Sequence, residues 1–401
     1  MYRILNGLRV VEGASFVAAP SCCLHLRQMG AEVIRFDTIG GGPDFRRWPR
    51  AANGASFYWE GLNKGKKSVA LNLSSPEGRE LAAALATAVG LLVTNFPADG
   101  FLSHAKLAAR RIDQITVRVM GWHDGANALD YTVNAALGVP TMTGPASLGD
   151  EPVNHVLPAW DLSTGLYAAF ALLAAERHRA ATGQGGEVRV PLSDVAIASL
   201  GALGQIAEVA IGGDRPRYGN DLFGAFGRDF MTADGERLMV TAISGRQWSG
   251  LLTALELTEK VAALEGELGV RFAADEGLRF THRDRLNPLV ADAIAARPFA
   301  AVAAALEDNG ATWGPYRTLG GALREDPRIG AGNPMLSSVE HLTGETYLTP
   351  GAPGTLAGQE RDVPGRAPRL GEHSEEVLAE VMGLGSAAIG DLVDRGIVAV
   401  A

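Results

Sequence analysis

The chain has 401 residues, of which 47% are hydrophobic and 20% charged, and its formal net charge is −9. A chain of this length exceeds what one compact core usually accommodates, so we expect two domains. The acidic balance argues against a nucleic-acid-binding protein, which normally presents a basic face. It does not exclude binding of a polyanion through a local basic patch.

The two cysteines, Cys22 and Cys23, are adjacent and too few for a disulfide framework or a zinc site. We expect both to be reduced and buried in a helix of a cytoplasmic protein. The start of the chain lacks the charged-then-apolar pattern of a signal peptide. The longest apolar stretch, Leu162 to Ala175, is shorter than the roughly 20 residues of a membrane span. We therefore expect no membrane segment and no membrane partner.

The first half of the chain alternates predicted strands and helices. Strands are expected at Leu8–Glu12, Ala31–Phe36, Lys67–Leu73, Leu91–Phe96 and Gln114–Met120. Helices are expected at Ala18–Met29 and, with Ser75 as N-cap, from Pro76 to about Val89. This order predicts a parallel sheet covered by helices, an open α/β domain.

The second half changes character after one long predicted helix, from Asp161 to about Ala181. A strand at Glu187–Val190 and a helix at about Ser193–Ile211 follow, and then a linker rich in Gly, Pro and Arg at Gly212–Asn220. Phe226–Ala242 reads as a hairpin that begins a smaller domain. We predict a large domain at 1–212, a small domain at 213–325, and a C-terminal part at 326–401 that ends in two helices.

Asp161 follows Pro158-Ala159-Trp160 and directly precedes the long apolar helix. A common role for such a carboxylate is the helix N-cap. A catalytic role uses the same position, because a helix N-terminus favours an ionised carboxylate and its free N–H groups can hold a developing oxyanion. The residues alone leave both roles open.

The glycine loop Gly40-Gly41-Gly42 follows a predicted strand, as a phosphate-binding loop would. It lacks the G-x-G-x-x-G and Walker spacings, so a flexible loop on the substrate side is the better interpretation. The lysines of Asn63-Lys64-Gly65-Lys66-Lys67 are either solvated or placed to bind the phosphates of a nucleotide-like ligand.

Three arginines, Arg46, Arg47 and Arg50, flank Trp48 beside the glycine loop. They are candidates to bind a substrate carboxylate, as is Arg228, although surface ion pairs are the more common role of such arginines. His123 and His155 lack the spacing of a metal site, so no metal is expected. The absence of a G-x-S-x-G segment removes the usual serine-hydrolase interpretation.

Several short segments together resemble the family III CoA-transferases of the CaiB/BaiF type over nearly the whole chain. The segments, in order, are Gly7–Glu12, Met29–Arg35, Asn63–Lys66, Ser75–Gly78, Asn95–Phe96 and Pro368–His373. In that family an aspartate that heads a long helix is the catalytic nucleophile, and the matching position here is Asp161. The resemblance thus favours the catalytic role.

The resemblance also implies an architecture and a ligand. It implies a Rossmann-like large domain built from both chain ends, a smaller α+β domain between them, and an interlocked homodimer. The ligand would be an acyl-CoA substrate, with no further cofactor and no metal. By motif position, CoA would lie near Arg35, Lys66, Asn72, Asn95 and Phe96. Met120 departs from the family pattern, because formyl-CoA transferases have a CoA-binding lysine there.

Leu129 stands where racemases of this fold carry a histidine, and leucine cannot supply the proton that racemisation needs. Longer stretches are similar to the intramolecular branch of the family, which moves CoA between the C1 and C4 carboxylates of mesaconyl-CoA. The stretches are Val33–Asp37 with Gly40–Gly42, Asp130–Asn134, Val153–Asp161, Gly224–Phe230 and Trp313–Arg317.

We expect the Gly40–Gly42 loop to close the site and one of Arg46, Arg47 and Arg228 to bind the idle carboxylate of the substrate. Tyr131 and His155 are further expected substrate contacts. Transfer between separate molecules, for example from succinyl-CoA to a free acid, stays open. A racemase and a non-catalytic acyl-CoA-binding protein are the remaining alternatives.

Overall fold

The structure, a computed structural model, describes residues 1–401. The strands are β1 (Arg9–Gly13), β2 (Glu32–Thr38), β3 (Lys67–Leu71), β4 (Leu91–Thr94), β5 (Ile115–Met120), β6 (Gly186–Pro191), β7 (Phe226–Met231), β8 (Arg237–Ala242), β9 (Thr312–Pro315), β10 (Leu336–Glu340), β11 (Thr346–Pro350) and β12 (Val398–Ala399).

The α-helices are α1 (Ala18–Gln28), α2 (Phe57–Leu62), α3 (Pro76–Val89), α4 (His104–Ala108), α5 (Asp130–Ala136), α6 (Val139–Met142), α7 (Ala159–Thr182), α8 (Leu192–Ala202), α9 (Gln205–Gly212), α10 (Gly245–Ala254), α11 (Thr258–Leu268), α12 (Glu276–Thr281), α13 (Arg283–Ala295), α14 (Phe299–Asp308), α15 (Leu319–Glu325), α16 (Ser374–Glu380) and α17 (Ser386–Asp394). Short 3₁₀ turns lie at Pro43–Arg46 and Ala146–Leu148.

The chain forms two compact units. The first contains residues 1–137, 155–210 and 327–401, and the second contains 138–154 and 211–326. Residues 138–154 lie in the second unit, whereas the sequence assigned them to the large domain. The predicted domain boundaries themselves stay a prediction.

The first unit is built on a seven-stranded sheet in the order β12-β3-β2-β1-β4-β5-β6. All neighbours are parallel except β12, which runs antiparallel to β3. Val11 of β1 is level with Ile34 of β2 on one side and with Leu92 of β4 on the other. The predicted parallel α/β sheet is therefore confirmed.

Both faces of this sheet are buried, as parallel sheets require. Successive side chains of a strand point to opposite faces. Val10 accordingly joins the core cluster that includes α1 and α7, and Val11 joins the cluster that includes α3 and α16. The adjacent cysteines lie buried and unbridged in α1, as expected.

The strand order reverses between β1 and β4. From β1 the chain proceeds to β2 and β3 on one side of the sheet, and β4, β5 and β6 occupy the other side. At such a switch point the loops after the two central strands diverge and leave a crevice at the carboxyl ends. The fold thus places a crevice beside Ser15 and Asn95.

Local signals explain the start of one helix and the end of another. Ser75 caps α3 by accepting a hydrogen bond from the N–H of Gly78, as predicted. The helix expected at Ser193–Ile211 is instead divided into α8 and α9 at Gly204, which has a φ of 76°. The two predicted C-terminal helices are confirmed as α16 and α17.

The second unit carries its own antiparallel sheet in the order β7-β8-β9. The predicted hairpin is confirmed, with the Thr232 N–H bonded to the Glu236 carbonyl at its turn. Its apolar core contains Phe226, Trp248 and Phe272. No single helix of the chain has both the length and the apolar composition of a membrane span.

Candidate active site

A cavity of about 780 Å³ opens at the switch point of the first unit. Its wall is formed by the segments after β1 (15–18), β4 (95–99) and β5 (120–121), by 124–131, and by Asp161. Two hydrogen bonds join the loops after the two central strands: Ser15 N–H to Asn95 Oδ1 at 3.1 Å, and Asn95 Nδ2 to the Ser15 carbonyl at 2.9 Å. The Asn95 side chain therefore joins the two loops at the floor of the crevice.

Asp161 is the third residue of α7, which begins at Ala159. It is therefore not the N-cap, and this part of the sequence interpretation is wrong. The residue that caps α7 is Asp130, distant in sequence. Its Oδ2 accepts the N–H groups of Trp160 at 2.7 Å and of Asp161 at 3.1 Å.

The first-turn N–H groups of α7 are all occupied. Those of Ala159 and Leu162 bond to the carbonyls of Leu157 at 2.8 Å and Pro158 at 3.1 Å, and the other two bond to Asp130. The expectation that free N–H groups of this helix hold an oxyanion is therefore wrong. Two of these N–H groups donate to Asp130, a carboxylate from another segment of the chain that only the tertiary structure brings close.

The Asp161 carboxylate itself makes no hydrogen bond or ion pair within the protein. Burial is the largest effect on it and raises its pKa, the negative charge of Asp130 raises it further, and Arg47 opposes both. The resulting pKa is about 7, against an ordinary value of 3.8. The carboxylate is thus half ionised near neutral pH and more basic than a solvated aspartate.

Arg47 and Tyr58 line the same cavity as Asp161. The Arg47 guanidinium lies 5.2 Å from the Tyr58 ring centre and 5.6 Å from that of Phe16. The Tyr58 hydroxyl is buried without a hydrogen-bond partner, and burial raises its pKa. The cavity thus offers a cation held between two rings and a free hydroxyl, as well as the carboxylate.

Arg35 and Lys66 lie in a buried ionic cluster and present almost no surface to a ligand. Arg35 binds Glu12 at 2.8 Å, Asp37 at 2.7 Å and Asp44 at 3.0 Å. Neither cation can contact CoA as predicted without disrupting this cluster, because their donors already serve buried carboxylates.

Lys66 Nζ bonds to Glu12 at 2.7 Å, to the Pro20 carbonyl at 2.9 Å and to Asn63 Oδ1 at 3.0 Å. The cluster reaches the cavity wall through Asp44, whose Oδ1 accepts the N–H of Phe16 at 2.8 Å. Phe16 has a φ of 70°, which is unusual for a residue with a side chain. The cluster therefore holds Phe16 in place rather than the ligand.

The other predicted CoA contacts divide into two groups. Asn95 and Phe96 line the cavity, and so does Met120. Asn72 lies at the end of β3, outside the cavity lining, where its Nδ2 bonds to the Gly396 carbonyl at 3.3 Å. Its predicted contact with CoA receives no support from this position.

The predicted substrate contacts are also dispersed. Tyr131 lines the cavity, whereas His155 bonds to Asp130 behind it. Gly40–Gly42 lie outside the lining, and Arg46 lines a separate cavity of about 510 Å³. Arg228 belongs to the second unit, where it pairs with Asp221 at 3.2 Å.

Sequence reasoning missed three residues of this site. Phe16 and Tyr58 belong to no recognisable motif, and Asp130 was noted only as part of a similar stretch. No group of three His, Cys, Asp or Glu side chains is arranged to hold a metal ion. The cavity thus combines the Asp161 carboxylate with the Arg47 cation and the Tyr58 hydroxyl.

Comparison with known proteins gives the family. The sequence profile of CoA-transferase family III matches residues 5–374. The chain is 49% identical to the 2-methylfumaryl-CoA isomerase of Chloroflexus aurantiacus, over all of this chain and 98% of that protein. It is 26% identical to the human succinyl-CoA:glutarate CoA-transferase, over 98% of this chain and 90% of that one.

The fold agrees with these similarities. A CAIB/BAIF family protein from Brucella suis superposes with a TM-score of 0.76 at 24% identity, covering 95% of this chain and all of that one. A second solved structure, Rv3272 from Mycobacterium tuberculosis, gives a TM-score of 0.73 at 22% identity over 93% of this chain and 98% of that one. The chain belongs to CoA-transferase family III and is an enzyme of that family.

Proposed function

We propose that this enzyme moves CoA between the C1 and C4 carboxylates of mesaconyl-CoA (2-methylfumaryl-CoA), with Asp161 as the nucleophile. The observation that carries the proposal is the Asp161 carboxylate, which lines the switch-point cavity without a partner and has a pKa raised to about 7. The 49% identity to a 2-methylfumaryl-CoA isomerase supports the choice of substrate.

The first half of the reaction transfers CoA to the enzyme. Ionised Asp161 attacks the C1 thioester carbonyl, the C–S bond breaks, and CoA leaves as a thiolate. The acyl group stays behind as a mixed anhydride of mesaconate and Asp161. The thiolate then attacks the aspartyl carbonyl of the anhydride. This step releases mesaconate with both carboxylates free and leaves CoA as a thioester of Asp161.

The second half places CoA on the other carboxylate. The C4 carboxylate of the trapped mesaconate attacks the aspartyl thioester and displaces the CoA thiolate, forming a second anhydride. The thiolate attacks its C4 carbonyl, and the Asp161 carboxylate is regenerated. Retaining the diacid keeps its effective concentration high, and excluding water protects both covalent intermediates.

The cavity suggests how the substrate binds. Asn95 and Phe96, at the carboxyl end of β4, are the remaining candidates for the CoA moiety, because a crevice of this kind is the usual ligand site in open α/β sheets. Arg47 is placed to bind the idle carboxylate, since no acidic side chain pairs with it and it lines the cavity with Asp161. Gly40–Gly42 lie outside the lining, so a closing role for this loop would act through Arg47 and Trp48, which follow it and do line the cavity.

Transfer between molecules is the alternative, and the human relative is named for such a reaction. The test is to incubate purified enzyme with mesaconyl-C1-CoA and ¹³C-labelled free mesaconate, and to separate the positional isomers by chromatography. The proposal expects unlabelled mesaconyl-C4-CoA. Label in the CoA ester would support the intermolecular alternative, and no C4 isomer would overturn the proposal.

We also propose that the enzyme is an interlocked homodimer. Large apolar side chains remain exposed along one side of α7, at Leu166, Tyr167, Phe170 and Leu173. Two more are exposed at Leu203, directly after α8, and at Ile206 of α9. Exposed apolar surface of this extent usually marks an interaction site. Light scattering coupled to gel filtration should give twice the mass of the chain, and a monomer would contradict the proposal.

A further inference from the structure

The carboxylate of Asp130 links two elements at the cavity. We propose that Asp130 and His155 act together as positioning residues for Asp161: Asp130 holds its backbone, and His155 restrains the charge of Asp130. The inference deepens the proposed function and rests on it.

The first part of the proposal concerns the backbone. Asp130 opens α5 and is 2% exposed, and its Oδ2 accepts the N–H groups of both Trp160 and Asp161. A second link joins the same two helices, from Trp160 Nε1 to Asn134 Oδ1 at 3.0 Å. The first turn of α7 is therefore fixed by α5 in both main chain and side chain. These contacts therefore fix the direction in which the Asp161 side chain projects from α7.

The second part concerns the other oxygen of Asp130. His155 Nε2 lies 2.5 Å from Oδ1, within hydrogen-bond distance. The imidazole is held by ring contacts with Tyr131 at 5.4 Å and Trp160 at 6.4 Å. A proton on Nε2 is thus directed at Asp130, whose two oxygens are then both bonded.

The third part concerns charge. Two carboxylates close together in a buried site cannot both ionise freely. After burial, the charge of Asp130 is the next cause that raises the pKa of Asp161, and Arg47 is the opposing cation.

The other charged groups lining the cavity are Asp99, Asp124 and Arg118. Arg118 is committed to Glu187 at 2.7 Å and to main-chain carbonyls. Besides the two N–H groups on Oδ2, Asp130 therefore has the His155 ring as its side-chain partner, and this contact at Oδ1 draws negative charge away from Asp161.

The experiment measures kcat/KM as a function of pH in variants of both residues. The acid limb of this profile reports the pKa of the essential base in the free enzyme. Asp130→Asn keeps an oxygen for the two N–H groups but removes the charge, so the limb should move to lower pH. His155→Phe keeps the ring but removes the donor, so Asp130 repels Asp161 more strongly and the limb should move to higher pH. Each shift should be roughly one pH unit.

Two further variants serve as controls. His155→Gln restores an N–H donor and should return the limb toward the wild-type position. His123→Phe makes the same change at an exposed histidine outside the cavity lining and should leave the profile unchanged. Equal shifts in the same direction for Asp130→Asn and His155→Phe, or no shift in either, would overturn the inference. If His155→Phe does not fold, Asp130→Asn still tests the charge of Asp130, and the ¹⁵N measurement below tests its contact with His155.

A failure of the proposed function can be distinguished from a failure of this inference. If the wild-type enzyme does not isomerise mesaconyl-CoA, the hydrogen-bonded couple of Asp130 and His155 is still tested by ¹⁵N NMR of histidine-labelled protein. The His155 signal, identified by its loss in His155→Gln, should move in Asp130→Asn and stay in place in Asp194→Asn. An unmoved signal would reject the couple whatever the substrate.

Discussion

Gly165 of α7 lies directly against Ser21 of α1. A Cβ atom on Gly165 would come within 1.9 Å of the Ser21 hydroxyl and 2.8 Å of the Ala18 carbonyl. The two helices therefore approach as closely as they do only because this residue has no side chain. Since Gly165 is one turn beyond Asp161, this contact also fixes the helix that carries the proposed nucleophile.

Gly165→Ala should destabilise the enzyme by about 1–3 kcal/mol, the usual range for overpacking a tight contact. Activity should fall as well, because α7 must move away from α1. The matched control is Gly266→Ala in α11, where a Cβ meets nothing within 4 Å. That change should stabilise slightly, since alanine is the better helix former. Thermal unfolding of both variants checks the prediction, and equal midpoints would contradict it.

The pH dependence of turnover should follow the Asp161 carboxylate. Only the ionised form attacks, and its pKa is raised to about 7 by burial and by Asp130. Below that pH, kcat/KM should fall about tenfold per pH unit. A profile that stays flat down to about pH 5 would show that Asp161 keeps the pKa of an ordinary aspartate.

The same raised pKa predicts a stability effect of Asp161→Asn. The folded protein holds the Asp161 proton more tightly than the unfolded chain does, whose pKa for this group is near 3.8. Ionisation of Asp161 therefore leaves the free energy of unfolding unchanged below a pH of 3.8 and lowers it progressively from there to a pH of about 7. Above a pH of about 7 the free energy of unfolding is lowered by a constant amount.

Asparagine removes this cost and should also abolish turnover. At about pH 8 the variant should be more stable than wild type by roughly 2–4 kcal/mol, and at about pH 4 by little. Calorimetric midpoints measured across this range check the sign. A stabilisation that does not grow with pH would contradict the assigned environment of Asp161.

Arg35 should matter for stability rather than for CoA affinity. Arg35→Met leaves Glu12, Asp37 and Asp44 buried without their main cation, which typically costs about 3–5 kcal/mol. The control is Arg110→Met, which breaks an exposed pair with Glu80 and should cost less than about 1 kcal/mol. Urea unfolding compares them. Reduced CoA affinity with unchanged stability would instead support the direct contact between Arg35 and CoA that the family resemblance implies.

Arg47 should contribute to binding of the idle carboxylate. Arg47→Gln should raise KM for mesaconyl-CoA about tenfold, the effect of losing one charge-assisted hydrogen bond. The neighbouring Arg46→Gln, in a separate cavity, should leave KM unchanged. If the two variants behave alike, Arg47 is not the carboxylate ligand.

Much of this protein follows from local sequence. Runs of β-branched residues at 115–119 predict a strand because such side chains fit a pleated, buried surface. Ser75 predicts the start of α3 because its hydroxyl can bond the N–H of a residue three positions on. The ordered family motifs give the family, and with it the choice of Asp161.

The environment of Asp161 was decided only by the tertiary structure. Its cap, Asp130, is remote in sequence, so no local pattern could show that the N–H groups of α7 are already used. The family resemblance implies that Arg35 binds CoA, and only the convergence of Glu12, Asp37 and Asp44 shows it to be internal. Hydrogen-bond partners and burial depend on which distant segments meet in space, whereas propensity and capping depend on neighbours along the chain.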